Sequence, residues 1–142
     1  MTATKNKRVS KKKYFSVKQV QSLLPRVESV LSRTITLNKA LDLLSSIEIE
    51  VYEDDYDNLK KVTKMNKQFH KLSFEFYANI EQLEELGCVI KDLESGIVDF
   101  YSVHEGKEIF LCWKIGEKKI EFYHEIDDGY VGRKPLQSLR KH

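Results

Sequence analysis

Between Leu23 and Leu86 apolar residues recur at alternating steps of three and four, in two separate runs, and this leaves little choice of fold. The first run reads Leu23, Val27, Val30, Thr34, Leu37, Leu41, Leu44, Glu48 and Val51, with seven of nine apolar. The second reads Val62, Met65, Phe69, Leu72, Phe76, Asn79, Leu83 and Leu86, with seven of eight apolar. A helix lines such positions along one face, whereas a strand needs strict alternation. Leu24, Leu31, Leu43 and Ile47 widen the first stripe. Ser16 followed by Gln19 forms a capping-box pattern, and Phe15 and Val20 fit a hydrophobic staple around it. Pro25 is the one conflict, since it removes an amide and clashes one turn back. A kink at residues 22–24, or a short first helix that restarts there, is expected. Gly87 stands where a left-handed C-cap belongs. The polar stretch from Glu53 to Asn58 is too short to do more than turn the chain back. The spacing therefore predicts a long antiparallel, coiled-coil-like hairpin over residues 14–86, with helices about 50 and 42 Å long.

After Gly87 the period becomes two. Val89-Ile90-Lys91 carries a short strand signal, and 97–104, 107–114 and 119–124 read as a three-stranded antiparallel meander over residues 87–125. Glu105-Gly106 and Gly116-Glu117 supply its turns. Val98, Phe100 and Ser102 then lie beside Ile109, Leu111 and Trp113, and counting on adds Ile120, Phe122 and, at the end, His124 to the same apolar face. The hairpin is the only element able to cover that face, which makes residues 14–142 one α+β domain. Residues 126–142, with Gly129, Gly132 and Pro135, read as a C-terminal loop.

Charge divides the chain. Residues 1–13 contain Lys5, Lys7, Arg8, Lys11, Lys12 and Lys13 and no acid, although the net charge is only +2. Such an arm buries no apolar area and is expected to be disordered. It serves either as a solubilising tail or as a contact for an anionic partner such as nucleic acid. No run approaches the roughly 18 apolar residues of a membrane span, and no apolar stretch follows the basic start as in a secretory signal. Cys88 and Cys112 form no CxxC pair. Buried free thiols in a reducing, cytoplasmic setting are expected.

The polar groups that could carry chemistry gather late in the chain. His124-Glu125 opens the densest cluster, followed by Asp127, Asp128 and Arg133. His124 and Glu125 are the only metal-ligand candidates it offers. Adjacent strand residues point to opposite faces, so they cannot both ligate if the strand runs through them. The plainer reading is a structural histidine with satisfied hydrogen bonds. The segment Gly129 to Lys134 could offer amides and a guanidinium to an anion, or Arg133 could simply pair with an acid such as Asp99 or Asp127. The acids from Glu48 to Asp57 lack the EF-hand offsets. Nothing matches a phosphate loop, a nucleophile elbow or a dinucleotide fingerprint, and no cofactor is indicated.

Taken in order, these residues resemble a known family. Tyr14-Phe15-Ser16 with Leu23-Leu24-Pro25 looks like its opening. Gly87, Val89-Ile90-Lys91-Asp92 and Gly96-Ile97-Val98-Asp99-Phe100 look like its central block. Leu111-Cys112-Trp113-Lys114, Gly116-Glu117, Tyr123-His124-Glu125 and Gly129-Tyr130-Val131-Gly132-Arg133 look like its end, with Tyr123 where the family has Trp. The family is the mostly bacterial domain of unknown function twenty-two-oh-three. The resemblance implies a cytoplasmic protein with no assigned activity. It marks Lys91, Asp92, Asp99, Glu117, His124, Glu125 and Arg133 as polar motif positions without giving them roles. Three functions remain in view. The first is a non-enzymatic interaction domain that forms a homo-oligomer, a dimer, through its helices. The second is a small-ligand, anion or metal site, catalytic or not, at the sheet–loop junction. The third is nucleic-acid contact through the basic arm.

Overall fold

A computed structural model describes residues 12–47 and 56–141. The basic arm up to residue 11 and the acidic run 48–55, with the disorder and charge-cluster expectations placed on them, lie outside the described residues. Helix α1 spans Val17–Ser45 and helix α2 spans Tyr56–Glu85. The Ser16 hydroxyl accepts from the Gln19 amide at 3.1 Å, and the Gln19 side chain accepts from the Ser16 amide at 2.8 Å, completing the expected capping box. Phe15 and Val20 both enter the core beneath it. Helix α1 runs through Pro25 without a break, so the first helix does not stop and restart. Pro25 is exposed, so the carbonyl it leaves unpaired can face water, while Val20, Leu24 and Val27 hold the turns on either side in the core.

Helix α2 ends in a Schellman motif. The Gly87 amide donates to the Glu84 carbonyl and the Cys88 amide to the Leu83 carbonyl, each at 3.0 Å. Gly87 has φ +99°, and a Cβ there would lie 2.2 Å from the Phe15 ring, so both conformation and space require glycine. Leu44 and Ser45 at the end of α1, with Ile47 just beyond it, share a groove with Val62, Met65 and Phe69 from the first half of α2. Leu83, near the end of α2, shares the core with Val20 and Leu31 of α1. The helices are therefore antiparallel, and only their base rests on the sheet.

That sheet has five antiparallel strands in sequential order, where three were expected: β1 Val89–Asp92, β2 Ile97–His104, β3 Lys107–Lys114, β4 Phe122–Glu125 and β5 Lys134–Pro135. Glu105 and Gly106 both have positive φ, 51° and 79°, as a two-residue turn matching the strand twist requires. The C-terminal segment is more ordered than a plain loop. It holds β5 and 3-10 turns at Tyr130–Gly132 and Leu136–Lys141.

Two expectations about the last strand need correction. The expected strand 119–124 begins only at Phe122, because the Ile120 amide donates to the Gln21 side chain of α1 at 2.9 Å and not to β3. Parity counted through that loop therefore slips by one. Leu111 pairs with Tyr123 and Phe110 with His124. Tyr123 thus faces the helices, whereas Phe122 and His124 face the other side. Ile120 still reaches the core, from outside the strand. The helix-facing core is built from Val98, Phe100, Ile109, Leu111, Trp113 and Tyr123 against Val20, Leu24, Val27, Leu31 and Leu83. Among the described residues, no helix is long and apolar enough to cross a membrane.

Candidate functional site

The sheet face away from the helices carries the polar cluster. Residue pairing sets Asp99 of β2 directly against Cys112 of β3, and Phe110 of β3 against His124 of β4. All three polar residues are fully buried: Asp99 0%, Cys112 0% and His124 1% exposed. His124 Nδ1 lies 2.8 Å from the Glu125 carbonyl oxygen and Nε2 lies 2.8 Å from Asp99 Oδ2. A carbonyl only accepts, so Nδ1 must carry its hydrogen there. The Nε2 contact is then held by one proton shared with the Asp99 carboxylate. Burial pushes the Asp99 carboxyl above its ordinary range, while His124, Cys112 and Lys91 pull it back. Asp99 Oδ1 is buried and has no hydrogen-bond partner.

One cation, Lys91, flanks this pair, and a second, Arg133, acts on the neighbouring Cys112. Lys91 Nζ lies 3.9 Å from Asp99 Oδ2 and 4.3 Å from the centre of the Phe110 ring. Arg133 lies between two rings, 4.0 Å from Phe122 and 4.2 Å from Tyr130. Its ion pair is with Glu117, at 2.9 Å, not with Asp99 or Asp127. Burial works against the Arg133 charge, but Glu117 outweighs it and raises the guanidinium above its ordinary value. Glu117 also accepts from the Lys114 amide at 2.9 Å, so it fixes Arg133 to the end of β3.

Other residues marked in the sequence stand apart. Glu125 points away from His124 and pairs with Lys107 at 2.6 Å and Lys134 at 3.7 Å. Lys107 holds its carboxyl below the ordinary value. Asp92 caps its own turn through Ser95. The amides of Gly132 and Arg133 donate within the 3-10 turn, which leaves them unable to cradle an anion. His104 lies at the far end of β2, paired in register with Lys107.

Cys112 is the member of the cluster that sequence reasoning missed. Its apolar neighbours made it look like a small hydrophobe. The signal was present in the hairpin: a two-residue turn at Glu105-Gly106 fixes His104 against Lys107, and counting back along both strands puts Asp99 against Cys112. Cys112 cannot serve as a nucleophile in this arrangement. Burial, with the Asp99 charge beside it, pushes its thiol up to about 12. Nor is it linked to His124 through a triad, since both imidazole nitrogens are already engaged.

A family model described as Uncharacterized conserved protein (DUF2203) matches residues 13–136. The chain belongs to this family. The match runs from the residue before Tyr14 through β5, and so takes in the hairpin, the sheet and the polar cluster. No match was found among curated proteins or among solved structures. The DUF2203 description carries no activity, so the functional reading rests on geometry.

Burial of the two thiols gives a direct test of this packing. Neither Cys88 nor Cys112 is expected to react with a thiol reagent at pH 8 in the folded chain, and both react once it is unfolded. Cys88 sits on the helix side, where burial alone pushes its thiol from 9.0 up to about 12. A raised folded-state value favours the protonated native form. Its contribution to stability is complete below about pH 9 and is lost as pH climbs toward 12, so the urea midpoint falls over that window. Fast labelling of the folded chain at pH 8 contradicts this.

Proposed function

We propose that this chain is a protein-interaction module that self-associates through the outer face of α2. The observation that carries this reading is a second stripe, two residues behind each position of the apolar seam. Lys60, Thr63, Lys67 and His70 are followed at the same three–four spacing by Phe74, Tyr77, Glu81 and Glu84, and all of them are exposed. Two residues along a helix is about 200° round its axis, so this stripe lies nearly opposite α1. Phe74 and Tyr77 are 77% and 65% exposed at its centre, and although the Tyr77 ring meets Phe76 edge-on at 5.1 Å, the two together form an apolar patch of the kind that marks an interaction site.

Charge along α2 favours a second copy as that partner. Residues 58–74 contain Lys60, Lys61, Lys64, Lys67 and Lys71 and no acid. Residues 75–85 contain Glu75, Glu81, Glu84 and Glu85 and no base. An antiparallel copy about a two-fold axis beside Leu72 sets Lys60 against Glu84, Thr63 against Glu81, Lys67 against Tyr77 and His70 against Phe74. Each contact then occurs twice, as an isologous interface requires. A parallel copy sets like charge on like charge. Exposed ion pairs contribute at most about 1 kcal/mol each, so the aromatic centre supplies strength and the charges supply direction.

Sedimentation across a concentration series tests this. The unaltered chain shows a reversible monomer–dimer equilibrium. F74E abolishes it, and K60E weakens it by about tenfold because two like-charge contacts replace two ion pairs. K60E combined with E84K restores it. A monomer at every concentration, or a dimer indifferent to F74E, contradicts the reading.

A further inference from the structure

We propose that Asp99, Cys112 and His124 hold one divalent transition-metal ion of the zinc class on the helix-free side of the sheet. This inference is independent of α2 pairing. The three side chains come from three adjacent strands, β2, β3 and β4, and their donor atoms all lie within 4.8 Å of one another. Strands position ligands more rigidly than loops do. His124 donates Nδ1–H to the Glu125 carbonyl, which orients the ring and leaves Nε2 as the donor atom turned toward Asp99. Metal-bound histidines are held by this kind of outer hydrogen bond. Asp99 Oδ1 supplies a separate observation. It is a fully buried carboxylate oxygen without a partner, inside the cluster, and a cation would satisfy it.

The donor set selects the ion. A thiolate sulfur, an imidazole nitrogen and a carboxylate oxygen suit zinc or cobalt and not magnesium or calcium, which take oxygen. The second Asp99 oxygen or a water completes four-coordination. Binding displaces the thiol proton and the proton held between His124 and Asp99. Two positive charges leave as two arrive, so the buried cluster stays neutral. The nearby cations do not block it. Lys91 keeps 42% of its side chain exposed and can turn to solvent, and Arg133 is neutralised by Glu117.

Cobalt(II) is the probe. The full chain, equilibrated with cobalt and passed through gel filtration, is expected to retain one ion per chain, with a near-ultraviolet thiolate-to-cobalt band. C112S removes the band and weakens binding on the order of a hundredfold or more. C88A keeps both. Because changes at buried ligands can unfold the chain, a second measurement uses the unaltered sequence, in which zinc raises the melting temperature and a chelator reverses the rise. A folded chain that retains no cobalt, cobalt bound without the thiolate band, or a melting temperature indifferent to zinc overturns the site.

Discussion

H124A is expected to destabilise the chain by about 3–5 kcal/mol, because it removes one partner of a buried charge-sharing pair. Asp99 would lose its 2.8 Å hydrogen bond while staying fully buried, and its second oxygen is already unpartnered. Lys91 at 3.9 Å is too far and too exposed to replace the lost contact. The Glu125 carbonyl suffers less, since it also accepts from the Asp128 amide at 3.1 Å. The loss has a pH signature. Burial already raises the Asp99 carboxyl, and removing His124 removes the strongest influence that lowers it. A carboxyl raised in the folded state favours the protonated native form, so the variant recovers stability as pH falls and loses it as pH rises through the folded value. Urea unfolding followed at pH 5 and pH 8 should show the larger deficit at pH 8. An equal deficit at both, or one below about 1 kcal/mol, contradicts a buried pair with a shared proton.

W113A carries a loss of similar size, about 3–5 kcal/mol, from the helix side of the same sheet. Trp113 is 1% exposed in the core against α1, so its removal opens a cavity at the centre of the molecule. Its indole also donates to the Glu117 carbonyl at 2.9 Å, which ties the core to the loop that positions Arg133. W113F keeps most of the apolar volume but orphans that carbonyl, and should cost about half as much. This is the only tryptophan, so unfolding has to be followed by circular dichroism. A W113A midpoint within error of the unaltered chain contradicts the packing.

Strongly periodic elements were readable from sequence because one force dominates each of them. The three–four spacing, Ser16 with Gln19, and Gly87 all report local geometry, and α1 and α2 follow them. The Glu105-Gly106 turn likewise sets the β2–β3 register residue by residue. Legibility failed where a distant partner decided the outcome. Gln21, about a hundred residues away in sequence, takes the Ile120 amide, delays the start of the strand to Phe122 and moves His124 to the opposite face. Strand β5 is Lys134–Pro135 alone, too short to show any period. Of the polar positions singled out, Asp99, His124 and Lys91 do come together, with Glu117 and Arg133 alongside. Glu125 and Asp92 serve local ion pairs and turns. The cations over Tyr101, Phe110 and Phe122 were also hidden, because Lys12, Lys91 and Arg133 reach those rings from other segments.

The most direct test of antiparallel α2 pairing is disulfide crosslinking at the two ends of its outer stripe. Within one chain residues 60 and 84 lie about 36 Å apart along the helix, too far to join. Cys88 and Cys112 are buried and do not compete. The account predicts that mild oxidation of the chain carrying both K60C and E84C gives a covalent dimer, while K60C alone and E84C alone stay monomeric on a denaturing gel. No covalent dimer from the double variant, or dimerisation of K60C alone as efficient as that of the pair, would contradict it.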